Sequence, residues 1–126
     1  MNAFVAQVRE LAAVVGRAQT REIPVMAGVS SDETANLSMG LDVRAWLAAG
    51  DLDYVVAEDE RVLLDTGIQA AWLPQVADEY DIAAYYRPPR RVYDHRVGVP
   101  DIEMYRALGK TLEFQGYEGI YLGYLP

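Results

Sequence analysis

The sequence predicts an α/β fold in which four short parallel strands alternate with helices. Short, continuous apolar runs, typical of strands buried on both faces, recur roughly every thirty residues. Segments with apolar residues at helical spacing lie between them, and strands separated in this way pair in parallel through crossover helices. With 126 residues, 52% of them hydrophobic, the chain is large enough to bury a core. We therefore expect residues 1–126 to form a single α/β unit.

The first half of the chain contains two predicted helices and two predicted strands. Residues 3–18 place apolar side chains at steps of three and four, which predicts a helix with one apolar face. The apolar run 23–29 predicts the first strand, and a polar loop follows it. A short helix then begins at Asp42, a good N-cap residue, and ends at Gly50. The second strand is predicted at 53–58.

The second half repeats the alternation. Residues 68–80 predict a helix with a kink or restart at Pro74, because a proline inside a helix removes a backbone hydrogen bond. The third strand is predicted at 81–86. An arginine-rich loop follows this strand and lies within YYRPPRRVYDHR, residues 85–96. Another helix comes after the loop.

The last predicted helix has Pro100 in its first turn and is ended by Gly116, and the last strand covers residues 119–125. No strand precedes the first helix and no helix follows the last strand, so we expect the chain to be cut from something longer. A (β/α)8 barrel typically has ~250 residues, about twice this length, which favours half of such a barrel. A small open doubly wound sheet is the alternative.

Composition excludes several classes of function. With 19 acidic and 11 basic residues, the chain has a net charge of -8, which argues against a nucleic-acid partner. No apolar run approaches the ~20 residues of a membrane span. The chain has no cysteine and a single histidine, His95, which excludes thiolate sites and metal sites built on several imidazoles. No glycine-rich phosphate loop occurs. We therefore expect no cofactor, no metal and no membrane association.

Three segments carry a family pattern. GLDVRAWLAAGDLDYVV at 40–56, DIAAYYRP at 81–88 and PDIEMYRALGKTLEFQGYEGIYLGYLP at 100–126 resemble the C-terminal half of family 10 glycosylhydrolase-like TIM barrels. The resemblance implies that the four strands are the fifth to the eighth of a barrel, that the first four are absent, and that the substrate is a glycoside. Where that family tends to have an asparagine near the end of the last strand, this chain has Gly123 and Tyr124.

The candidate site residues are those that follow the strands, because ligands bind at the C-terminal ends of strands in such folds. Glu58 is the candidate catalytic residue, since glycoside hydrolysis needs carboxyl groups beside the scissile bond. Asp59, Tyr86, Arg87 and Tyr124 are predicted to bind substrate. The alternative for Glu58 is that the run EDER at 58–61 solvates a loop.

Arg87 is the first charged residue after an apolar strand, where a guanidinium can hold a carboxylate or sugar hydroxyls. The alternative is a solvated loop made rigid by two prolines. The other arginines of the loop are expected to extend into solvent or to form ion pairs: Arg90, Arg91 and Arg96. Asp32 and Glu33 either supply a second carboxylate from the neighbouring loop or help to cap a turn.

Two functions follow from these observations. The first is one half of a glycoside hydrolase-like barrel that binds or hydrolyses carbohydrate. The second is a non-catalytic binding or assembly module that pairs with another copy of the chain or with the missing barrel half. It is favoured by open sheet edges, which proteins usually cover by association.

Overall fold

The structure is a computed structural model, and it describes residues 1–58, 64–89 and 101–122. The helices are α1 (Asn2–Gln19), α2 (Glu33–Ser38), α3 (Val43–Ala49), α4 (Trp72–Asp78) and α5 (Ile102–Phe114). The strands are β1 (Met26–Val29), β2 (Tyr54–Glu58), β3 (Ala83–Arg87) and β4 (Gly119–Ile120). Several sequence predictions concern residues outside the described ranges: Asp59, Arg90, Arg91, His95, Arg96, Pro100, Gly123 and Tyr124.

The four strands form one parallel sheet in the order β1-β2-β3-β4, which confirms the predicted fold class. Crossover connections between parallel strands are almost always right-handed, so a sheet in sequential order carries its crossover helices on one face. A doubly wound sheet instead reverses its strand order at a switch point. Among the four described strands no reversal occurs, and the order is that of half a barrel or of an open, singly wound sheet.

The two faces of this sheet differ in burial. Residues paired directly in register share a face, and successive residues alternate between faces. One face, here called the helix face, packs against the helices in the core, and it carries Val29, Val55, Ala57, Ala84 and Tyr86. The other, here called the open face, carries Met26, Gly28, Tyr54, Val56, Glu58, Ala83, Tyr85, Arg87 and Gly119. Apart from Val56, the open face is half-buried or exposed.

The predicted ends of α3 are confirmed. The Asp42 carboxylate accepts a hydrogen bond from the Ala45 amide at 3.0 Å, which satisfies one of the free N–H groups of the first turn. Gly50 has a φ of 72°, the left-handed conformation that glycine adopts without steric cost. Gly116 follows α5 with a φ of 98°. These ends are set by local geometry, which is why the sequence predicts them.

The predicted helix over 68–80 is shorter in the structure. α4 begins at Trp72, so Pro74 lies in the first turn. The amide groups of a first turn have no partner within the helix, and a proline there loses no hydrogen bond. The predicted kink at Pro74 is therefore wrong.

Residues 68–70 stay outside α4 because the end of α5 holds their backbone. The Gln115 side-chain nitrogen Nε2 donates to the Ile68 carbonyl at 2.6 Å, and the Ala70 backbone amide donates to the Gln115 side-chain oxygen Oε1 at 2.8 Å. The Tyr117 hydroxyl donates to the Ala70 carbonyl at 2.7 Å. Helix formation at 68–70 would break these bonds, so tertiary contacts override the apolar pattern.

The predicted polar loop after β1 contains the short helix α2. The Asp32 carboxylate accepts a hydrogen bond from the Ala35 amide at 2.7 Å and caps this helix. A helix of 6 residues has too few turns to show a clear apolar period, so the sequence pattern does not reveal it.

Candidate functional site

An ion pair lies where the C-terminal ends of the parallel strands meet, here called the C-terminal edge of the sheet. Glu58 is the last residue of β2 and Arg87 the last of β3, and the two are directly paired in register. Arg87 Nη1 donates to Glu58 Oε1 at 3.0 Å. The side chains are 37% and 42% exposed, so both groups remain accessible to a ligand. The structure therefore brings together the predicted catalytic carboxylate and the predicted substrate-binding guanidinium.

Gly28 of β1 lies directly beneath the Glu58 carboxylate. A Cβ at position 28 would lie 2.7 Å from Glu58 Cδ and 2.8 Å from Oε1, closer than real Cβ contacts. Glycine weakens a strand, and inside one it often marks a close approach by another group. Here the approaching group is a carboxylate. Glu58 is thus held between Gly28 on one side and Arg87 on the other.

The loop after β1 is held rigid beside this carboxylate. Asn36 is almost fully buried, accepts a hydrogen bond from the Ser30 amide at 2.8 Å and donates to the Ser30 carbonyl at 2.9 Å. Gly28 pairs with Val56, and continuing that register by one more pair on this face places Ser30 beside Glu58. Ser30, which carries a hydroxyl group, is therefore held in place at the C-terminal edge, on the β1 side of Glu58.

The two carboxylates considered as a second acid have other partners. Asp32 caps α2, the turn-capping role that the sequence allowed. Glu33 accepts a hydrogen bond from Arg44 Nε at 2.9 Å. This bond raises the pKa of the Arg44 guanidinium, and Arg44 also pairs with Glu79 at 3.1 Å. Asp32 and Glu33 thus take part in capping and in a surface ion-pair network.

Tyr86 does not lie with Glu58 and Arg87. It points to the helix face, is 2% exposed and packs edge-to-face on Tyr117 with ring centroids 5.8 Å apart. A side chain with so little exposed surface belongs to the core and has almost no surface to offer a ligand. The structure therefore separates Tyr86 from the other described candidates.

Tyr85 and Tyr54 lie on the open face instead. Their rings meet edge-to-face, with centroids 6.1 Å apart and planes at 84°. Tyr85 comes two residues before Arg87 and shares its face. The alternation of side chains along β3 could have identified it, because counting back two residues from Arg87 reaches Tyr85 and not Tyr86. Tyr86 and not Tyr85 is selected from the sequence because both tyrosines occur near the end of the strand.

Asp59 and Tyr124 lie outside the described residues, and their predicted roles remain predictions. Within the described part of the chain, no group of three or more histidine, cysteine, aspartate or glutamate side chains is placed to hold a metal ion. None of the helices described is long and apolar enough to cross a membrane.

Comparison of the sequence with models of known protein families and with curated proteins finds no match. The resemblance to glycosylhydrolase-like barrels therefore remains a prediction from the motifs.

Proposed function

We propose that this chain is half of a glycoside hydrolase-like barrel that binds carbohydrate at the C-terminal edge of its sheet. The observation that carries the proposal is the Glu58–Arg87 pair, which ends two adjacent parallel strands above Gly28. Ligands of such folds bind at this edge. The motif resemblance supports a glycoside as the substrate.

Each group of the pair has a defined role in this proposal. Oε1 of Glu58 accepts a hydrogen bond from Arg87. The carboxylate has further lone pairs, which can interact with a reacting group. It either attacks the anomeric carbon or takes a proton from the attacking water. The N–H groups of Arg87 that do not face Glu58 donate to sugar hydroxyls.

Hydrolysis also needs a second carboxyl group, which protonates the leaving oxygen. Asp32 and Glu33 are engaged elsewhere, so this acid comes from Asp59 or from the missing barrel half. The two outcomes of hydrolysis need different separations, about 5–5.5 Å for retention and about 6.5–9.5 Å for inversion. The distance from Glu58 to that acid will decide the stereochemical course.

Aromatic contacts complete the proposed sugar site. The apolar face of a pyranose ring packs well on a flat aromatic side chain. Tyr85 is the candidate for this contact because it lies on the same face as Arg87, two residues and about 6.6 Å before it along the strand. Tyr124 remains a predicted contact from β4.

The test is a glycan array together with a panel of chromogenic glycosides, applied to the wild-type chain, Glu58→Gln and Arg87→Gln. We expect the wild type to bind one class of glycan, Arg87→Gln to lose that binding, and Glu58→Gln to retain it. If Asp59 is the acid, the wild-type chain also cleaves a glycoside of that class, and Glu58→Gln does not. Glu113→Gln, an exposed change on α5 that removes the same charge, serves as the control. If the wild type neither binds nor cleaves any glycan, the proposal is wrong.

A second candidate, assembly with another chain, is favoured by the open face. Met26 is 39% exposed there, and Tyr54 and Tyr85 are half-buried. Within the described sheet, β1 and β4 each pair with one neighbour, so each has a free edge. Exposed apolar surface and free strand edges are usually covered by association. A second copy or the missing barrel half would cover both.

Light scattering coupled to size-exclusion chromatography tests this candidate over a range of concentrations. We expect a dimer that Met26→Lys converts to a monomer. Phe114→Lys, which changes an apolar side chain 93% exposed on α5, should leave the dimer intact. A wild-type chain that stays monomeric at every concentration would exclude pairing of two copies.

A further inference from the structure

A cleft opens at the opposite edge of the sheet, near the N-terminal ends of the strands. It lies between the second half of α1 and the segment that leads into β1, and its volume is about 790 Å³. Pockets for small ligands typically measure about 300–1,000 Å³. It is lined by Arg9, Ala12, Ala13, Gly16, Arg17, Thr20, Arg21, Glu22, Ile23, Pro24 and Asp53.

One wall of the cleft is fixed by an ion pair between α1 and the start of β2. Arg9 donates through Nη1 and Nη2 to the two oxygens of Asp53, at 2.6 and 3.1 Å. Asp53 also accepts from the Val25 amide at 2.6 Å. Three donors occupy most of the roughly four acceptor sites of the Asp53 carboxylate, and the Arg9 guanidinium offsets its charge, so this wall presents little free negative charge to a ligand.

The shape of the cleft follows from small residues on α1. A Cβ at Gly16 would lie 2.6 Å from the Arg21 carbonyl oxygen, so the chain presses against the helix there and closes one end. Ala12 and Ala13 precede this contact, and their short side chains leave the groove open. Ile23 and Pro24 supply apolar surface on the other side, so the cleft is mainly apolar inside.

The rim of the cleft carries two guanidinium groups with free donors. The Arg17 side chain makes no hydrogen bond or ion pair with any other residue that the structure describes. Arg21 uses Nε to donate to Gln19 at 2.8 Å, which leaves its terminal nitrogens available. Glu22 is the one lining carboxylate besides Asp53. Positive groups at this rim stand out in a chain with a net charge of -8.

We propose that this cleft binds a small organic anion with an apolar body, such as an aromatic carboxylate. Arg17 and Arg21 hold the anionic head by charge-assisted hydrogen bonds. The body of the ligand packs on Ala12, Ala13 and Pro24. The site lies at the other edge of the sheet from Glu58, so it is a ligand site beyond the proposed glycosidase function, and either one can fail without the other.

The test is isothermal titration of the chain with phenylacetate, and with 2-phenylethanol as its neutral analogue. We expect saturable binding of phenylacetate at one site, weakened about tenfold or more in Arg17→Gln, because a hydrogen bond to a charged group contributes that much. Ala13→Leu should weaken it similarly by filling the groove. Lys110→Gln, which removes one positive charge outside the cleft, should bind like the wild type.

Circular dichroism melting checks that each variant is folded, and amide chemical shifts of the wild type locate the ligand independently of any variant. No saturable binding of phenylacetate would overturn the proposal. Equal affinity for 2-phenylethanol, unchanged affinity in both cleft variants, or shift changes confined to the Glu58 edge would overturn it as well.

Discussion

The substitution Gly28→Ala tests whether the glycine beneath Glu58 positions the carboxylate. The new Cβ would lie 2.7 Å from Glu58 Cδ, whereas ordinary contacts begin at 3.4 Å, so the carboxylate must move by about 0.7 Å (3.4 − 2.7). It cannot move that far towards Arg87, because the two groups are already 3.0 Å apart. We expect Glu58 to rotate into solvent and the ion pair to break.

The effect on stability should be small because two contributions offset each other. An ion pair whose side chains are 37% and 42% exposed is screened by water, and such pairs contribute about 0.2–1 kcal/mol. Alanine in place of glycine within a strand gains about 0.5–1 kcal/mol. The free energy of unfolding, measured by urea titration, should therefore change by less than about 1 kcal/mol.

The effect on function should be much larger. Displacement of a catalytic group by about 1 Å can lower a rate about 100-fold. With a substrate identified by the glycoside panel, we expect Gly28→Ala to lose turnover by about that factor while remaining folded. Gly119→Ala is the matched control, because Gly119 is also a strand glycine on the open face and its new Cβ would lie 3.7 Å from Tyr85.

Two results would refute this reasoning. Turnover in Gly28→Ala equal to that of Gly119→Ala would show that the position of Glu58 over β1 does not matter. A loss of more than about 2 kcal/mol of stability in Gly28→Ala, with Gly119→Ala unaffected, would show that the strand and not the side chain had been displaced.

Three further predictions concern the scaffold, and urea titration measures each. Asp42→Ala removes the N-cap of α3 and should lower the free energy of unfolding by about 1 kcal/mol, and Asp42→Ser should restore most of it. Gln115→Ala leaves a carbonyl and an amide of residues 68–70 without partners and should cost about 2 kcal/mol; a smaller loss than 0.5 kcal/mol would mean that water replaces these bonds. Asp53→Asn weakens the pairing with Arg9 and should cost about 1 kcal/mol at low salt, with a smaller loss in 1 M salt because exposed charges are screened.

The candidate site was predicted in part. Glu58 and Arg87 were identified because charged residues at the ends of apolar strands are visible in the sequence, and parallel pairing places such ends at one edge. The contact between Glu58 and Gly28 was not predictable, since it joins residues 30 positions apart and depends on the strand register. The arrangement of Tyr85 and Tyr86 also escaped prediction, because both are aromatic and adjacent.

The sequence by itself determined the order and type of the main elements and the ends of α3, because apolar periodicity and capping act within a few residues. Only the tertiary structure decided where α4 begins, which face of β3 enters the core, and how the Glu58 carboxylate is held. Those features depend on contacts between distant segments: Gln115 holds residues 68–70 outside α4, and Tyr117 packs on Tyr86. Alternation determines which residues share a face of a strand, but helix packing determines which face is buried.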